Sequence, residues 1–216
     1  MISTSTKIRF YTSLFLFFLV YLMISSKFFL TYTLIILGVI SLIEFLSITK
    51  KIFSNFLYLV IVNSIFILYV FIFCLSFFLF ENFLQFKLII FILLAGCIAS
   101  DIGGFVFGKI FKGVRLTKIS PNKTISGSIG SIILSSIVML SLIYYFTKMI
   151  SLNFLMISIF TSIFCQLGDL LFSYLKRKAK LKDTGNFLPG HGGILDRVDG
   201  ILIGVPFGLF TILIIF

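Results

Sequence analysis

Long apolar runs alternate with short polar gaps along the whole chain. A helix needs about 20 apolar residues to cross a bilayer, with a range of roughly 17 to 25. Runs of about this length occupy seven stretches: 9–25, 29–48, 54–80, 86–108, 126–147, 151–175 and 200–216. The pattern therefore predicts an all-α integral membrane protein, a bundle of about seven transmembrane helices.

The third run, 54–80, is long enough for one tilted helix or for two short ones, and the charges distinguish these alternatives. With seven spans and a cytosolic N-terminus, every lysine and arginine except Lys27, Lys87 and Lys148 falls on the cytosolic side. This is the asymmetry that the positive-inside rule describes. Two helices in this run would put the two most basic loops outside, so we predict a single span.

The composition excludes an ordinary soluble domain, because 60% of the residues are hydrophobic and only 12% are charged. Soluble domains have roughly a quarter charged residues. The net charge of +11 lies in the gaps between apolar runs, so we expect no nucleic-acid partner. Lys7 and Arg9 precede the first run, but no convincing cleavage site follows, and we expect a retained helix. The expected location is a bacterial inner (plasma) membrane.

Five aspartates lie where they can meet on the cytosolic side. Asp101 and Asp169 are inside predicted spans, eight residues before Lys109 and seven before Lys176. The helical rise puts both about 10–12 Å inside the cytosolic boundary. We therefore predict one cytosol-facing polar cavity reached by five carboxylates: Asp101, Asp169, Asp183, Asp196 and Asp199.

An aspartate inside an apolar span is a strong indication of function. Burying its charge costs a few kcal/mol, so it usually faces a bundle interior or a water-filled cavity. For Asp101, hydrogen bonding in helix packing is the alternative. Asp169 is expected to form a cluster with Asp196 and Asp199. These two residues share a helical face, because they stand at positions i and i+3. Carboxylates are the ligands that Mg²⁺ prefers.

The loop 176–199 carries the densest chemistry of the chain. Five cations stand within seven residues: Lys176, Arg177, Lys178, Lys180 and Lys182. Alone they fit a topology anchor or an anionic-lipid contact. Three glycines follow, and their amides can face an anion: Gly190, Gly192 and Gly193. Cations, amides and carboxylates together predict a site for a polyphosphate and its metal. His191 is either a general base or a structural residue of the turn.

The other cytosolic loop, 109–125, contains the segment Ser120-Pro121-Asn122-Lys123-Thr124. Pro121 stops a helix, and Lys123 with the hydroxyl residues can hold a phosphate. Ser-Pro-Asn is also common turn chemistry. We therefore divide the chain into N-terminal transmembrane helices, 1–85, and a catalytic transmembrane region, 86–216, that carries both cytosolic loops.

These residues resemble the signature of the phosphatidate cytidylyltransferases, also named CDP-diacylglycerol synthases. The matching pattern is Ser173-x-x-Lys176-Arg177, Lys182-Asp183-x-Gly185 and Pro189-Gly190-His191-Gly192-Gly193-x-x-Asp196-Arg197-x-Asp199. So many fixed positions leave little room for chance agreement. Upstream segments also resemble the family: Gly168-Asp169-Leu170, Ser120-Pro121-Asn122-Lys123-Thr124, and Asp101 with Gly103 and Phe107-Gly108-Lys109. The resemblance covers about residues 101–200.

The resemblance implies transfer of CMP from CTP to phosphatidic acid, giving CDP-diacylglycerol and pyrophosphate. It implies Mg²⁺ held by Asp169, Asp196 and Asp199, with a second cation left open. The expected catalytic residues are Asp169, Asp183, Asp196, Asp199 and Lys182. The expected substrate- and phosphate-binding residues are Asp101, Ser120, Asn122, Lys123, Lys176, Arg177, Gly190, His191, Gly192, Gly193 and Arg197. The expected partners are CTP, phosphatidic acid and membrane lipids, and a homodimer is left open.

The sequence departs from the family pattern at a few positions. Phe172 stands where an acidic residue is expected, Ile102 replaces a small hydroxyl residue, and Ile125-Ser126 replaces an aromatic-Glu pair. These departures concern the support of the site and leave its metal ligands intact. The alternatives are a CTP-dependent polyprenol or lipid kinase, which product analysis distinguishes, an inactive scaffold, and a transporter. No inverted repeat favours the transporter.

Overall fold

A computed structural model describes residues 18, 22, 26–80, 82–117, 119–121, 123–185, 187 and 192–216. Long α-helices make up most of this part of the chain, and it contains no strand. The helices are α1 (Lys27–Ile52), α2 (Phe56–Phe80), α3 (Leu84–Phe111), α4 (Ile125–Thr147), α5 (Leu152–Lys178) and α6 (Leu195–Ile215).

All six of the helices described are long and apolar enough to cross a bilayer. The chain is therefore a multi-pass α-helical membrane protein, as predicted. α2 runs unbroken over Phe56–Phe80, which confirms that the third apolar run is one span. The predicted first span, 9–25, lies outside the described residues apart from two positions, so the count of seven stays a prediction.

The polar connection before α6 is shorter than the sequence predicted. α5 continues to Lys178 and α6 begins at Leu195. The connection outside the helices is therefore 179–194, and the bounds of the cytosolic loop, 176–199, stay a prediction. Basic residues fill the last turn of α5, and Asp196 lies in the first turn of α6. Both placements suit the helix dipole, so the helices extend into polar sequence beyond the apolar runs.

The predicted loop 109–125 is shortened in the same way, to 112–124, because α3 and α4 extend into it from both sides. Thr124 caps α4: its Oγ1 accepts the amide N–H of Gly127 at 3.1 Å. A threonine at this position satisfies one of the amides that have no partner within the helix.

The chain divides into two compact units. Unit 1 comprises the residues up to Asn82 together with Leu175–Arg197, and it therefore holds α1, α2 and the connection before α6. Unit 2 comprises Phe83–Tyr174 and Val198–Phe216, which include α3, α4, most of α5 and most of α6. The predicted functional division after residue 85 stays a prediction.

In unit 1, the contacts between α1 and α2 include a stacked aromatic pair and a buried polar pair. The rings of Phe45 and Phe66 stack with their centroids 3.8 Å apart. Next to them, Asn63 Nδ2 donates to Thr49 Oγ1 at 3.0 Å, and both residues are buried. Interhelical hydrogen bonds of this kind stabilise helix pairs in membranes, where lipid competes with apolar contacts.

In unit 2, α3 and α4 approach so closely that only glycine fits at their crossing. A Cβ at Gly103 would lie 2.5 Å from the carbonyl oxygen of Gly130, and a Cβ at Gly127 would lie 2.7 Å from the carbonyl oxygen of Gly104. Small residues at membrane helix interfaces allow backbones to touch in this way. The glycines therefore fix the distance between α3 and α4.

Buried hydroxyl groups join α5 to these two helices within unit 2. Ser100 Oγ on α3 lies 2.9 Å from Ser162 Oγ on α5. Ser158 Oγ on α5 donates to Ser136 Oγ on α4 at 3.1 Å. All four side chains are buried, so these contacts satisfy polar groups that lipid cannot solvate.

Candidate active site

Lys176 and Asp196 form an ion pair in unit 1. Lys176 Nζ lies 2.6 Å from Asp196 Oδ1, and the two side chains are only 13% and 9% exposed. Lys176 is in the last turn of α5 and Asp196 is in the first turn of α6. The pair brings a predicted phosphate ligand together with a predicted metal ligand, and its burial limits screening by salt.

The second oxygen of Asp196 is held by the connection that precedes it. Asp196 Oδ2 accepts the amide N–H of Thr184 at 2.8 Å and the Thr184 hydroxyl at 3.0 Å. It also accepts the amide N–H of Gly193 at 3.1 Å. The orientation of the carboxylate is therefore fixed from both sides. The Gly193 amide, predicted to face a phosphate, donates here to a carboxylate, and its phosphate role stays a prediction.

Glu44 on α1 belongs to the same cluster, although it was absent from the predicted site. Its side chain is 3% exposed. Glu44 Oε2 accepts from the Thr184 hydroxyl at 2.7 Å and from the Leu195 amide at 2.8 Å, and Oε1 accepts from the Ile194 amide at 3.0 Å. A carboxylate inside an apolar helix was the available signal, since such a charge is rarely unpartnered.

The other predicted residues of unit 1 reach solvent. Four of them are exposed: Arg177, Lys182, Asp183 and Arg197. Gly192 lies beside Asp183 and Asp196, since an added Cβ would meet Asp183 Cβ at 3.5 Å and Asp196 Oδ2 at 3.2 Å. Its φ of +82° is one that glycine adopts without strain. The charged ends of the exposed lysine and arginine side chains are accessible to a phosphorylated ligand.

A second lysine–aspartate pair lies in unit 2. Lys123 Nζ, just before α4, donates to Asp169 Oδ2 on α5. The two side chains are 26% and 32% exposed, so this pair is more accessible than the one in unit 1. It again joins a predicted phosphate ligand to a predicted metal ligand.

Asp199 lies where α6 crosses α5 at Gly168, the residue before Asp169. A Cβ at Gly168 would be 2.7 Å from the carbonyl oxygen of Asp199 and 3.2 Å from Gly200 Cα. Asp199 is buried, and its Oδ1 accepts the Gly200 amide at 2.9 Å. Close backbone contact at Gly168 thus brings two predicted metal ligands of unit 2 to one crossing.

Asp101 is exposed on α3. Its Oδ1 accepts a weak hydrogen bond from Cys165 Sγ on α5 at 3.9 Å. The glycines that follow it, Gly103 and Gly104, pack against α4. The role of these glycines is therefore helix packing, while the predicted role of Asp101 toward a ligand stays a prediction.

The segment around Ser120 is a turn that presents Lys123. The Lys123 amide donates to the Ser120 carbonyl at 3.1 Å, and the Leu116 amide donates to the Lys123 carbonyl at 2.7 Å. The turn chemistry of Ser-Pro-Asn and the phosphate role are therefore compatible, because the turn is what directs Lys123 to Asp169.

The departures from the family pattern have structural roles of their own. Phe172 is buried, at 3% exposure, so the position packs in apolar surroundings. Ile125 is exposed as the first residue of α4. Ser126 Oγ donates to the Lys112 carbonyl and lies 3.0 Å from Thr124 Oγ1. Ser126 therefore joins the two ends of the loop 112–124.

Three predicted ligand-binding residues lie outside the described residues: Asn122, Gly190 and His191. Their roles stay predictions. Among the residues that the structure describes, no three His, Cys, Asp or Glu side chains group closely enough to hold a metal ion. The predicted Mg²⁺ site stays a prediction as well.

Comparison with known proteins identifies similar sequences in bacteria. The family model described as "Cytidylyltransferase family" matches residues 1–215. A phosphatidate cytidylyltransferase of Bacillus subtilis (strain 168) is 42% identical over 118 residues, which cover 53% of this chain and 43% of that protein. One of Staphylococcus haemolyticus (strain JCSC1435) is 43% identical over 118 residues, with coverage of 54% and 45%. One of Helicobacter pylori (strain J99 / ATCC 700824) is 42% identical over 117 residues, with coverage of 52% and 42%. The match thus spans less than half the length of each relative.

Proposed function

We propose that this chain transfers CMP from CTP to phosphatidic acid, because it belongs to the cytidylyltransferase family. The products would be CDP-diacylglycerol and pyrophosphate. The observation that carries the proposal is the pairing of two aspartates with two lysines, Asp196 with Lys176 and Asp169 with Lys123. Relatives named phosphatidate cytidylyltransferase, 42% and 43% identical in the matched region, support this choice of substrates.

The chemistry is an in-line displacement at phosphorus. A phosphate oxygen of phosphatidic acid attacks the α-phosphorus of CTP and forms a new P–O bond. The bond from the α-phosphorus to the oxygen bridging to the β-phosphorus breaks, and its electrons leave with pyrophosphate. The attacking oxygen is already anionic, so the protein's tasks are positioning and charge stabilisation rather than strong base catalysis.

The basic residues are proposed to hold the phosphate groups of both substrates. In unit 1, Arg177, Lys182 and Arg197 are exposed, and a guanidinium can bind a phosphate through two parallel hydrogen bonds. Lys176 is anchored beside Asp196, and in unit 2 Lys123 is anchored beside Asp169. Anchored ammonium groups lose little conformational freedom when they bind a phosphate, which favours positioning.

Mg²⁺ is the proposed cofactor, with Asp169, Asp196 and Asp199 as its ligands and Asp101 and Asp183 orienting cations or water molecules. The donor chemistry fits, because Mg²⁺ prefers carboxylate oxygens. Asp169 and Asp196 each hold a lysine ammonium, so both carboxylates accept a cation. When bound, the ion would neutralise negative charge on the phosphate oxygens.

The active site is proposed to face the cytosol at the inner membrane of a bacterium. CTP is water-soluble, whereas the acyl chains of phosphatidic acid remain in the bilayer. A site at the basic ends of membrane-spanning helices reaches both, and α5 ends in Lys176, Arg177 and Lys178. The excess of basic residues at this side is the arrangement expected of a cytosolic face.

The test is an assay of the purified protein in detergent micelles with CTP, phosphatidic acid and Mg²⁺. Pyrophosphate and lipid-linked cytidine are measured in the same sample, and equal amounts of both are expected. Diacylglycerol in place of phosphatidic acid is the matched control, since it lacks the attacking phosphate. In a parallel assay with a polyprenol in place of phosphatidic acid, release of CDP and phosphorylation of the polyprenol would instead identify a lipid kinase. Folded protein that forms neither product would overturn the proposal.

A further inference from the structure

Glu44 is a buried carboxylate that accepts hydrogen bonds from three donors in unit 1. These donors come from within the connection 179–194, from its last residue and from the start of α6: the Thr184 hydroxyl, the Ile194 amide and the Leu195 amide. Glu44 itself lies on α1, 151 residues from Leu195 in the chain. One side chain of α1 therefore contacts the connection at Thr184 and at Ile194, and also contacts the first residue of α6.

The geometry of this contact requires a carboxylate. The first amides of a helix have no partner within the helix, and α6 begins at Leu195. Both oxygens of Glu44 are used, each by one of two adjacent amides. A glutamine could accept only one of them. In either orientation its NH₂ group would face the other amide, donor against donor.

Two glycines of the signature segment pack against the Glu44 carboxylate. A Cβ at Gly185 would lie 2.6 Å from Glu44 Oε1, and a Cβ at Gly193 would lie 2.5 Å from Glu44 Oε2. Real Cβ atoms essentially never approach an oxygen so closely, so a side chain at either position would have to displace the Glu44 carboxylate. At Gly193 the Cβ would come still closer to Thr184 Oγ1, so the glycines at 185 and 193 leave room for the Glu44 carboxylate and for its hydroxyl donor.

Glu44 is coupled to Asp196 through one shared donor and through the chain itself. The Thr184 hydroxyl lies within hydrogen-bonding distance of Glu44 Oε2 and of Asp196 Oδ2, at 2.7 Å and 3.0 Å. Leu195, which donates to Glu44, is the residue immediately before Asp196. A displacement of Glu44 would therefore change the hydrogen bonding of Asp196 and the position of the helix turn that carries it.

We infer that Glu44 is a positioning residue for CMP transfer, which fixes the start of α6 and orients the Asp196 carboxylate without contacting the substrates. This inference rests on the proposed function, because it gives Asp196 its role there. It assigns to α1 an indirect part in the reaction, acting through Asp196, although the resemblance to the family covered only the second half of the chain. Outer partners of metal ligands typically change metal affinity or activity by about 10- to 100-fold when they are lost.

The experiment compares Glu44→Gln with Thr49→Val. Thr49 is also buried on α1 in unit 1, but its hydrogen-bond partner Asn63 is on α2. Amide hydrogen exchange of a peptide covering 192–197 is measured without metal. We expect exchange at Ile194 and Leu195 to rise by about tenfold or more in Glu44→Gln, because one amide loses its acceptor. In Thr49→Val, the exchange rates of these two amides should equal those of the wild type.

The second measurement is the Mg²⁺ concentration that gives half the maximal rate of CMP transfer. We expect it to rise about tenfold in Glu44→Gln and to stay unchanged in Thr49→Val. A merely destabilised protein would lose active molecules without this shift.

Three results would overturn the inference. Unchanged exchange in Glu44→Gln would show that Glu44 does not hold the start of α6. Faster exchange with an unshifted Mg²⁺ dependence would limit Glu44 to a structural role. Absence of transfer by the wild-type protein would overturn the proposed function and Glu44's role in it, while the exchange data would still test the anchoring by Glu44.

Discussion

Lys176 Nζ lies 2.6 Å from Asp196 Oδ1, although the two residues are 20 positions apart in the chain. The contact joins the end of α5 to the start of α6, and both side chains are nearly buried. Removing one partner of a buried pair leaves an uncompensated charge, which is far more costly than losing an exposed pair. The stability of this helix junction and the proposed chemistry therefore depend on the same two groups.

Lys176→Met should lower both stability and activity. It leaves the Asp196 carboxylate without its ammonium partner, and breaking a buried pair costs about 3–5 kcal/mol. We expect a lower midpoint of thermal unfolding in detergent and a loss of CMP transfer. Lys180→Met is the control, since Lys180 is exposed in the same segment and surface changes stay within about 0.5 kcal/mol. Equal stability of the two variants would contradict the prediction.

Asp169→Asn should abolish turnover while the protein remains inserted in the membrane. The change removes a charge that Lys123 and the proposed Mg²⁺ both use. The rate of CMP transfer should fall by at least about a hundredfold, since even outer partners of metal ligands contribute 10- to 100-fold. Asp183→Asn is the comparison: this aspartate is exposed in the connection, and we expect a smaller loss. Near-normal activity of Asp169→Asn would remove Asp169 from the proposed metal site.

Gly103→Ala should destabilise unit 2. The new Cβ would lie 2.5 Å from the Gly130 carbonyl oxygen, so α3 and α4 must separate, at a cost of about 1–3 kcal/mol. Gly38→Ala on α1 is the control, because its Cβ would meet Cys74 Sγ and Val70 Cγ1 at an ordinary 3.5 Å. That change should be neutral, or stabilising by up to about 1 kcal/mol through helix propensity. Thermal unfolding of both variants in the same detergent measures the difference. Equal losses of stability in the two variants would show that the close α3–α4 backbone contact does not determine the cost of the substitution.

Removal of divalent metal should stop the reaction without unfolding the protein. EDTA should abolish both pyrophosphate release and lipid-linked cytidine, and excess Mg²⁺ should restore them, because the proposed ion neutralises the phosphate charge. The helices themselves are stabilised by apolar contact with lipid and by internal hydrogen bonds. Circular dichroism should therefore be unchanged by EDTA. Transfer that persists in EDTA would count against the metal.

Several features of the site could be predicted from the sequence because they are local. Asp196 and Asp199 stand one turn apart on α6, and the basic residues stand at the end of α5. Family membership also followed from the residues, since the signature segment has many fixed positions. The helix ends within the loop 176–199 did not follow from the apolar runs, because helix ends depend on capping and dipole interactions as well as on hydrophobicity.

The role of Glu44 could not be predicted from its neighbours in the chain. Nothing within α1 indicates that its carboxylate caps α6 and packs against Gly185 and Gly193. The sequence indicated an unusual charge in an apolar run and no partner for it. The partner lies in a connection far along the chain.

The sequence by itself determined the membrane-spanning segments, the helical class and the inventory of charged groups. The free energy of transferring a segment into lipid is close to the sum of the contributions of its residues, so it can be evaluated from the sequence alone. The tertiary structure decided which carboxylate meets which donor, as in the pairs Lys176–Asp196 and Lys123–Asp169. Hydrogen bonds and ion pairs form only within about 3 to 4 Å and in favourable directions. Such distances between separate helices are set by packing, which the order of residues alone does not give.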